Sequence, residues 1–112
     1  MNIINSKIKL YSYDYQQNIE TIHTSAIFKN EDIILNTSNF ISNLEIPHNV
    51  QTDAVYLDSW NKSVAYVLKS LSDLDEFFYC KMSFDYTRTN IFRLVTNKDN
   101  WYYAIDVTLE RI

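Results

Sequence analysis

Three runs of alternating apolar and polar residues fill the last third of the chain, across residues 78–110, FYCKMSFDYTRTNIFRLVTNKDNWYYAIDVTLE. Successive side chains of a β-strand point to opposite faces of a sheet, so a two-residue period predicts strands. The predicted strands cover 78–86, 91–96 and 101–110. Residues that favour turns separate them. The pattern therefore predicts a C-terminal three-stranded antiparallel meander with one apolar face and one mixed face.

A main helix over about 59–76 is predicted immediately before the meander. Asp58 or Ser59 would cap its N-terminus, because a short polar side chain can accept hydrogen bonds from the free N–H groups of the first turn. Apolar residues then recur with helical spacing along one stripe: Trp60, Val64, Val67, Leu68, Leu71, Leu74 and Phe78. We expect this stripe to cover the apolar face of the meander.

The first half of the chain predicts additional strands and a short helix. Strands are expected over 7–15, 19–28 and 31–35, a short helix over 37–44, and a loop over 45–56. With 112 residues, of which 46% are hydrophobic, the chain has the size of one domain, 1–112. The expected fold class is α+β: an antiparallel sheet of about five or six strands with the main helix packed on one face.

The composition excludes several kinds of chemistry. The chain has no glycine, whereas phosphate-binding loops, dinucleotide-binding turns and nucleophile elbows need positive φ angles or a close backbone approach that a Cβ atom obstructs. The one cysteine, Cys80, excludes an internal disulfide, indicates a reducing compartment, and is expected from its strand parity to be a buried, unreactive thiol. The sequence shows neither a signal peptide nor a membrane-spanning run, so we expect a soluble cytoplasmic protein without a membrane partner.

No group of residues has the spacing of a metal site or a catalytic site. His23 and His48 are far apart in the sequence, and neither has another histidine or cysteine at metal-ligand spacing. Paired carboxylates can perform acid–base chemistry, and Asp73, Asp75 and Glu76 are crowded, but a solvated acidic helix end is the commoner arrangement. We therefore expect no metal, no cofactor and no enzymatic activity.

Tyrosines and acids give the clearest indication of a binding surface. Tyr11, Tyr13 and Tyr15 share one strand parity while Ile8 and Leu10 take the other, so a tyrosine stripe is expected on the polar face. Tyrosine is enriched in protein interfaces because its ring buries a large area while its hydroxyl stays hydrogen-bonded. The predicted partner-binding residues are Tyr11, Tyr13, Tyr15, Asp73, Asp75, Glu76, Tyr79, Asp85, Tyr102, Asp106 and Glu110. The alternative is that a second layer covers this face and the tyrosines belong to the core.

The net charge of −4 favours a protein partner with a basic surface and argues against direct binding of nucleic acid. We therefore expect a small acidic inhibitor that binds another protein. Such a protein would neutralise a toxin or nuclease, as immunity proteins do, or block a host defence enzyme, as phage anti-defence and anti-CRISPR proteins do. One alternative is a small-ligand-binding or enzymatic domain with a pocket between helix and sheet, formed by Tyr66, His23 and Asp106. Another is a structural subunit that forms a homodimer through a strand edge or the tyrosine face.

Overall fold

The computed structural model describes residues 3–29, 31–80, 88–98 and 100–111, with side chains described for all of these except 74–80, 88, 89, 96–98 and 111. Seven elements follow one another along these residues: β1 (Ile3–Asp14), β2 (Ile19–Phe28), α1 (Ile33–Ser42), α2 (His48–Gln51), α3 (Ala54–Cys80), β3 (Arg88–Lys98) and β4 (Trp101–Arg111). The α+β fold class with one main helix is confirmed.

The strands form one antiparallel sheet in the order β2-β1-β4-β3. The first and last strands of the chain, β1 and β4, are therefore neighbours at the centre, and β2 and β3 are the edges. Within the described residues the sheet has four strands, so the predicted five or six strands are matched only in part.

Helix α3 begins earlier than predicted. Asp53 caps it in place of Asp58 or Ser59, because the Asp53 Oδ1 accepts hydrogen bonds from the backbone N–H groups of Val55 (3.0 Å) and Tyr56 (3.2 Å). Several residues before Trp60 could serve as caps, so composition alone did not identify the first turn.

Helix α3 also ends later than predicted, which changes the C-terminal part of the sheet. It ends at Cys80, so the strand predicted over 78–86 is wrong at 78–80, and residues 81–86 lie outside the described residues. Phe78 fits the apolar stripe of a helix as well as the alternation of a strand, and so short a run does not distinguish them. In the described residues the meander is a hairpin of β3 and β4, and β1 is the other neighbour of β4. The side chain of Cys80 is not among those described.

Helices replace a predicted strand and part of a predicted loop in the first half. The strand predicted over 31–35 is wrong because α1 begins there, and the short helix predicted over 37–44 is confirmed in part. Helix α2 and the start of α3 lie within the predicted loop over 45–56. The β-branched residues near the start of α1 favour strands locally, but burial of a stripe with four-residue spacing overrides that preference. This stripe is Ile33, Thr37 and Ile41.

The three helices pack on one face of the sheet and form the core with it. From α3 the predicted stripe buries Trp60, Val67 and Leu71, with Val64 and Leu68 packed beside them. The sheet contributes alternate residues: Ile8, Leu10, Ile91, Val95, Tyr103, Ile105, Val107 and Leu109. The packing of the main helix on the apolar face of the sheet is therefore confirmed.

Two serines of α3 hold the edge strand β3 against the helix layer. The Ser63 hydroxyl lies 3.1 Å from the Leu94 carbonyl oxygen, and the Ser59 hydroxyl donates to the carbonyl of Val95. Val95 is the extra residue of a β-bulge, since Leu94 pairs with Ala104 and Thr96 with Tyr103. These contacts fix the position of β3, and with it the side chains that β3 presents on the opposite face.

Candidate functional site

The face of the sheet away from the helices carries most of the predicted binding residues. Residues that oppose each other in antiparallel strands point to the same side, so the strand register defines this face. We call it the open face, because the described helices all pack on the other side. It consists of Lys7, Lys9, Tyr11 and Tyr13 from β1, Glu20, Ile22, Ser25 and Ile27 from β2, Asn90, Phe92 and Leu94 from β3, and Tyr102, Ala104, Asp106, Thr108 and Glu110 from β4.

Four tyrosines form a cluster at one end of the open face. The ring centroids of Tyr11, Tyr13 and Tyr15 lie 6.2, 5.7 and 5.4 Å from the ring centroid of Tyr102. Tyr11 is buried, and this burial together with the neighbouring Tyr102 raises its pKa to about 12. Tyr15, in the turn after β1, is 48% exposed. The tyrosine cluster is thus anchored in the sheet at Tyr11 and accessible to a partner at Tyr15.

Exposed apolar side chains lie on the two outer strands of the open face. Ile22 and Ile27 of β2 are 56% and 57% exposed, and Phe92 and Leu94 of β3 are 44% and 40% exposed. Single exposed apolar residues are common on proteins, whereas several on one sheet face beside a tyrosine cluster indicate a binding surface. Together with the tyrosine cluster, these residues give the open face an apolar character across all four strands.

Two ion pairs neutralise the lysines of the open face. Lys7 Nζ lies 3.5 Å from Glu110 Oε1, and Lys9 Nζ lies 3.2 Å from Glu20 Oε1. Exposed ion pairs contribute little to stability, but they determine which charges are available to a ligand. Because both lysines are paired, the open face offers little attraction to phosphate groups.

Asp106 differs from the other acids of the open face. No lysine, arginine or histidine nitrogen lies within 4.0 Å of its carboxylate among the described residues. Its Oδ1 is buried without a hydrogen-bond partner in that part of the chain. Burial raises the pKa of Asp106, although the nearby Lys9 ammonium and the Asn90 side chain act in the opposite direction.

The structure brings six of the predicted binding residues together and separates others. Asp106 and Glu110 share the open face with Tyr11, Tyr13 and Tyr102, and Tyr15 joins the tyrosine cluster from the turn after β1. Tyr79 falls within the strand predicted over 78–86, and this placement is wrong because Tyr79 lies in α3. The tyrosine and acid surface is therefore built from β1, β4 and the turn after β1.

Of the remaining predicted acids, Asp73 is the one whose side chain is described, and it does not lie on the open face. Asp73 lies in the helix layer, where it is exposed and its Oδ2 is 3.4 Å from the Lys69 Nζ. Asp75 and Glu76 also lie in α3, with side chains outside those described, and Asp85 lies outside the described residues altogether. Asp73 therefore belongs to a solvated helix surface rather than to the tyrosine and acid surface.

Sequence reasoning missed the apolar residues of the open face. In β2 a bulge at His23 adds one residue, so strict alternation would place Ile22 and Ile27 on opposite faces. In β3 apolar residues occur at both parities, so Phe92 and Leu94 could not be assigned to either face. The short β3–β4 turn was not a sufficient signal, because the bulge at Val95 shifts the register that the turn fixes and so places Phe92 opposite Asp106.

The pocket suggested by Tyr66, His23 and Asp106 does not form. His23 Nε2 is 2.8 Å from the Ser12 hydroxyl, and burial lowers the pKa of His23. Tyr66 lies on α3 beneath the guanidinium of Arg93, at 5.0 Å from its ring centroid. Asp106 points to the opposite face of the sheet. These groups cannot act on one ligand.

A groove of about 290 Å³ lies instead between α2 and the sheet, near the β1–β2 turn. Trp101 and Tyr103, whose ring centroids are 5.3 Å apart, contribute aromatic surface. Asp14, Gln17 and Asn49 are among its polar lining residues. The groove combines aromatic and polar groups, as small-molecule sites do.

Within the described residues, no group of three or more His, Cys, Asp or Glu side chains is arranged to hold a metal ion. None of the described helices combines the length and the apolar character needed to cross a membrane. Comparisons of the chain with protein-family models, with curated proteins and with solved structures give no match.

Proposed function

We propose that this protein binds another protein through the open face and inhibits it by covering a functional surface, in the manner of an immunity protein or a phage anti-defence protein. The proposal is carried by the exposed apolar residues and tyrosine cluster on the sheet face away from the helices. Covering these side chains removes apolar area from water, which stabilises a complex by about 25 cal/mol per Å².

The sheet favours tight binding because the surface is formed in advance. Tyr11 and Ala104 are buried within the open face, so the side chains around them are supported by the sheet. A preorganised surface loses little conformational entropy when a partner covers it. Tyrosines that are held in place and then desolvated often contribute a large share of the binding energy.

Charge favours a basic protein as the partner. The chain carries a net charge of −4, which accelerates encounters with a positively charged surface. Nucleic acid is disfavoured on the open face because Lys7 and Lys9 are paired with Glu110 and Glu20. A protein that inhibits by covering another protein's surface needs no reactive group. It needs side chains that make contacts, such as the apolar residues and tyrosines of the open face.

The test uses two leucine-sized residues that are equally exposed on opposite sides of the protein. Ile27 on the open face and Leu35 on α1 are both 57% exposed. The wild-type protein and the variant Leu35→Asp should retain the same partner from a lysate of the source organism, and Ile27→Asp should retain about tenfold less or none. The isolated partner should lose its activity at a one-to-one ratio with the wild-type protein but not with Ile27→Asp.

Circular dichroism and the melting temperature establish that each variant is folded. Equal retention by Ile27→Asp and Leu35→Asp would place binding elsewhere. If sedimentation instead shows a wild-type dimer that Ile27→Asp dissociates, the open face is a homodimer interface and the inhibitor proposal is wrong.

The groove beside Trp101 favours a second candidate function, the binding of a small molecule. A ligand there would contact the Trp101 indole and change its fluorescence. Screening a metabolite library by tryptophan fluorescence should then give a signal that Trp101→Phe removes and Val55→Ala, an exposed change on α3, preserves. A screen without such a ligand would count against this function.

A further inference from the structure

Asp106 occupies a central position on the open face. Its cross-strand neighbours are Lys9 on β1 and Phe92 on β3. The next residue along β4 on the same side is Ala104, which is buried and lies opposite Tyr11. The carboxylate therefore has a lysine on one side and an exposed aromatic ring on the other.

The nearby lysine does not form an ion pair with this carboxylate. Lys9 Nζ is 3.2 Å from Glu20 Oε1 and 4.7 Å from the ring centroid of Tyr11. Lys9 still lies close enough to Asp106 to favour its charged form. The contacts of Lys9 with Glu20 and Tyr11 hold the ammonium group on the β2 side of the open face, away from Asp106.

The arrangement leaves one carboxylate oxygen without a donor. Asp106 Oδ1 is buried without a hydrogen-bond partner among the described residues, and the carboxylate has no ion pair within 4.0 Å in that part of the chain. A partly buried carboxylate without a counter-ion costs free energy, which a cation from another molecule beside the outer side of the carboxylate would offset.

We infer that Asp106 receives a positively charged side chain, a guanidinium or ammonium group, from the protein that covers the open face. The inference rests on the proposed function and names the chemistry of the partner at one position. A charge-assisted hydrogen bond to the outer oxygen of Asp106 would supply the missing counter-charge. The ring of Phe92, 44% exposed beside it, would add a cation–π contact.

The test uses N-acetylarginine methylamide as the probe and N-acetylcitrulline methylamide as its uncharged analogue of nearly the same shape. Both are titrated into the isotopically labelled full chain and followed by NMR. The arginine probe should shift the Asp106 carboxylate carbon and the Phe92 ring signals and bind about tenfold more tightly than the citrulline analogue. Equal shifts with the two probes would overturn the inference.

Two variants test whether Asp106 causes the preference for the arginine probe. Asp106→Asn should reduce the preference for the arginine probe at least fivefold, whereas Asp73→Asn, an exposed acid on α3, should leave it unchanged. An unchanged preference in Asp106→Asn would overturn the inference. The comparison of the two probes on the wild-type protein gives a decisive result even if Asp106→Asn does not fold.

A failure of the cation site at Asp106 can be distinguished from a failure of the proposed function. If Ile27→Asp loses the protein partner while Asp106→Asn keeps full affinity, the open face binds the partner but takes up no cation at Asp106. If the arginine probe binds at Asp106 while Ile27→Asp keeps the partner, the cation site exists and the proposed docking surface is wrong.

Discussion

At the scale of single residues, Tyr11 shows how the open face supports itself. Tyr11 is 8% exposed although the helices lie on the other side of the sheet. The Lys9 ammonium lies 4.7 Å from the ring centroid, and Tyr102 meets the ring edge-on. Long side chains on the same face thus shield Tyr11 from water, and they favour its neutral form over the tyrosinate.

This burial predicts a distinct last step in the alkaline titration. The pKa of Tyr11 rises from 10.0 to about 12, so the folded protein holds this proton more tightly than the unfolded chain. The resulting stabilisation is complete below pH 10 and is lost as the pH rises through about 12. In a tyrosinate absorbance titration, Tyr11→Phe should remove the step of highest pH, whereas Tyr15→Phe should retain it. A highest step that survives in Tyr11→Phe would contradict the burial of this hydroxyl.

At the scale of elements, helix α3 shows which features the sequence determines. The apolar stripe from Trp60 to Leu71 was predictable, because helical spacing of large apolar residues has few alternative explanations. The ends were not, because Asp53, Asp58 and Ser59 are all plausible caps. The backbone hydrogen bonds made by Asp53 decide between them.

The choice of cap gives a prediction with a built-in control. Asp53→Ala removes the acceptor for two N–H groups of the first turn and should lower the free energy of unfolding by about 1 kcal/mol. Asp58→Ala removes only an exposed ion pair with Lys62, 3.0 Å away, and should cost less than about 0.5 kcal/mol. Urea denaturation measures both changes. A larger loss in Asp58→Ala would mean that the helix begins where the sequence alone suggests.

The strands show a similar division. Alternation in β1 and β4 is unbroken over the central pairs, so the face of Tyr11, Tyr13 and Asp106 followed from the sequence. The edge strands each contain a bulge, at His23 and at Val95. A bulge shifts the parity of every residue beyond it, and no rule of alternation reveals it. The apolar half of the open face was therefore not predictable, although its tyrosines and acids were.

At the scale of the whole molecule, the two sides of one sheet differ in what covers them. One side packs against three helices and buries alternate residues such as Val107 completely. The other presents large apolar side chains such as Ile22 and Phe92 to water. If a partner covers the open face only in the complex, its apolar residues contribute to binding and hardly at all to the stability of the free protein.

This difference predicts that a mutation on the helix side lowers stability, whereas mutations on the open face mainly reduce binding of the partner. Val107→Ala creates a cavity in the core and should lower the free energy of unfolding by about 2 kcal/mol. The double variant Ile22→Thr with Phe92→Thr keeps residues that favour strands and should cost less than about 1 kcal/mol, while it abolishes capture of the partner. Denaturant unfolding and partner capture are measured on the same preparations. A destabilisation by the double variant as large as that of Val107→Ala would mean that the open face is sealed within the free protein, and a surface already covered cannot be the one that binds.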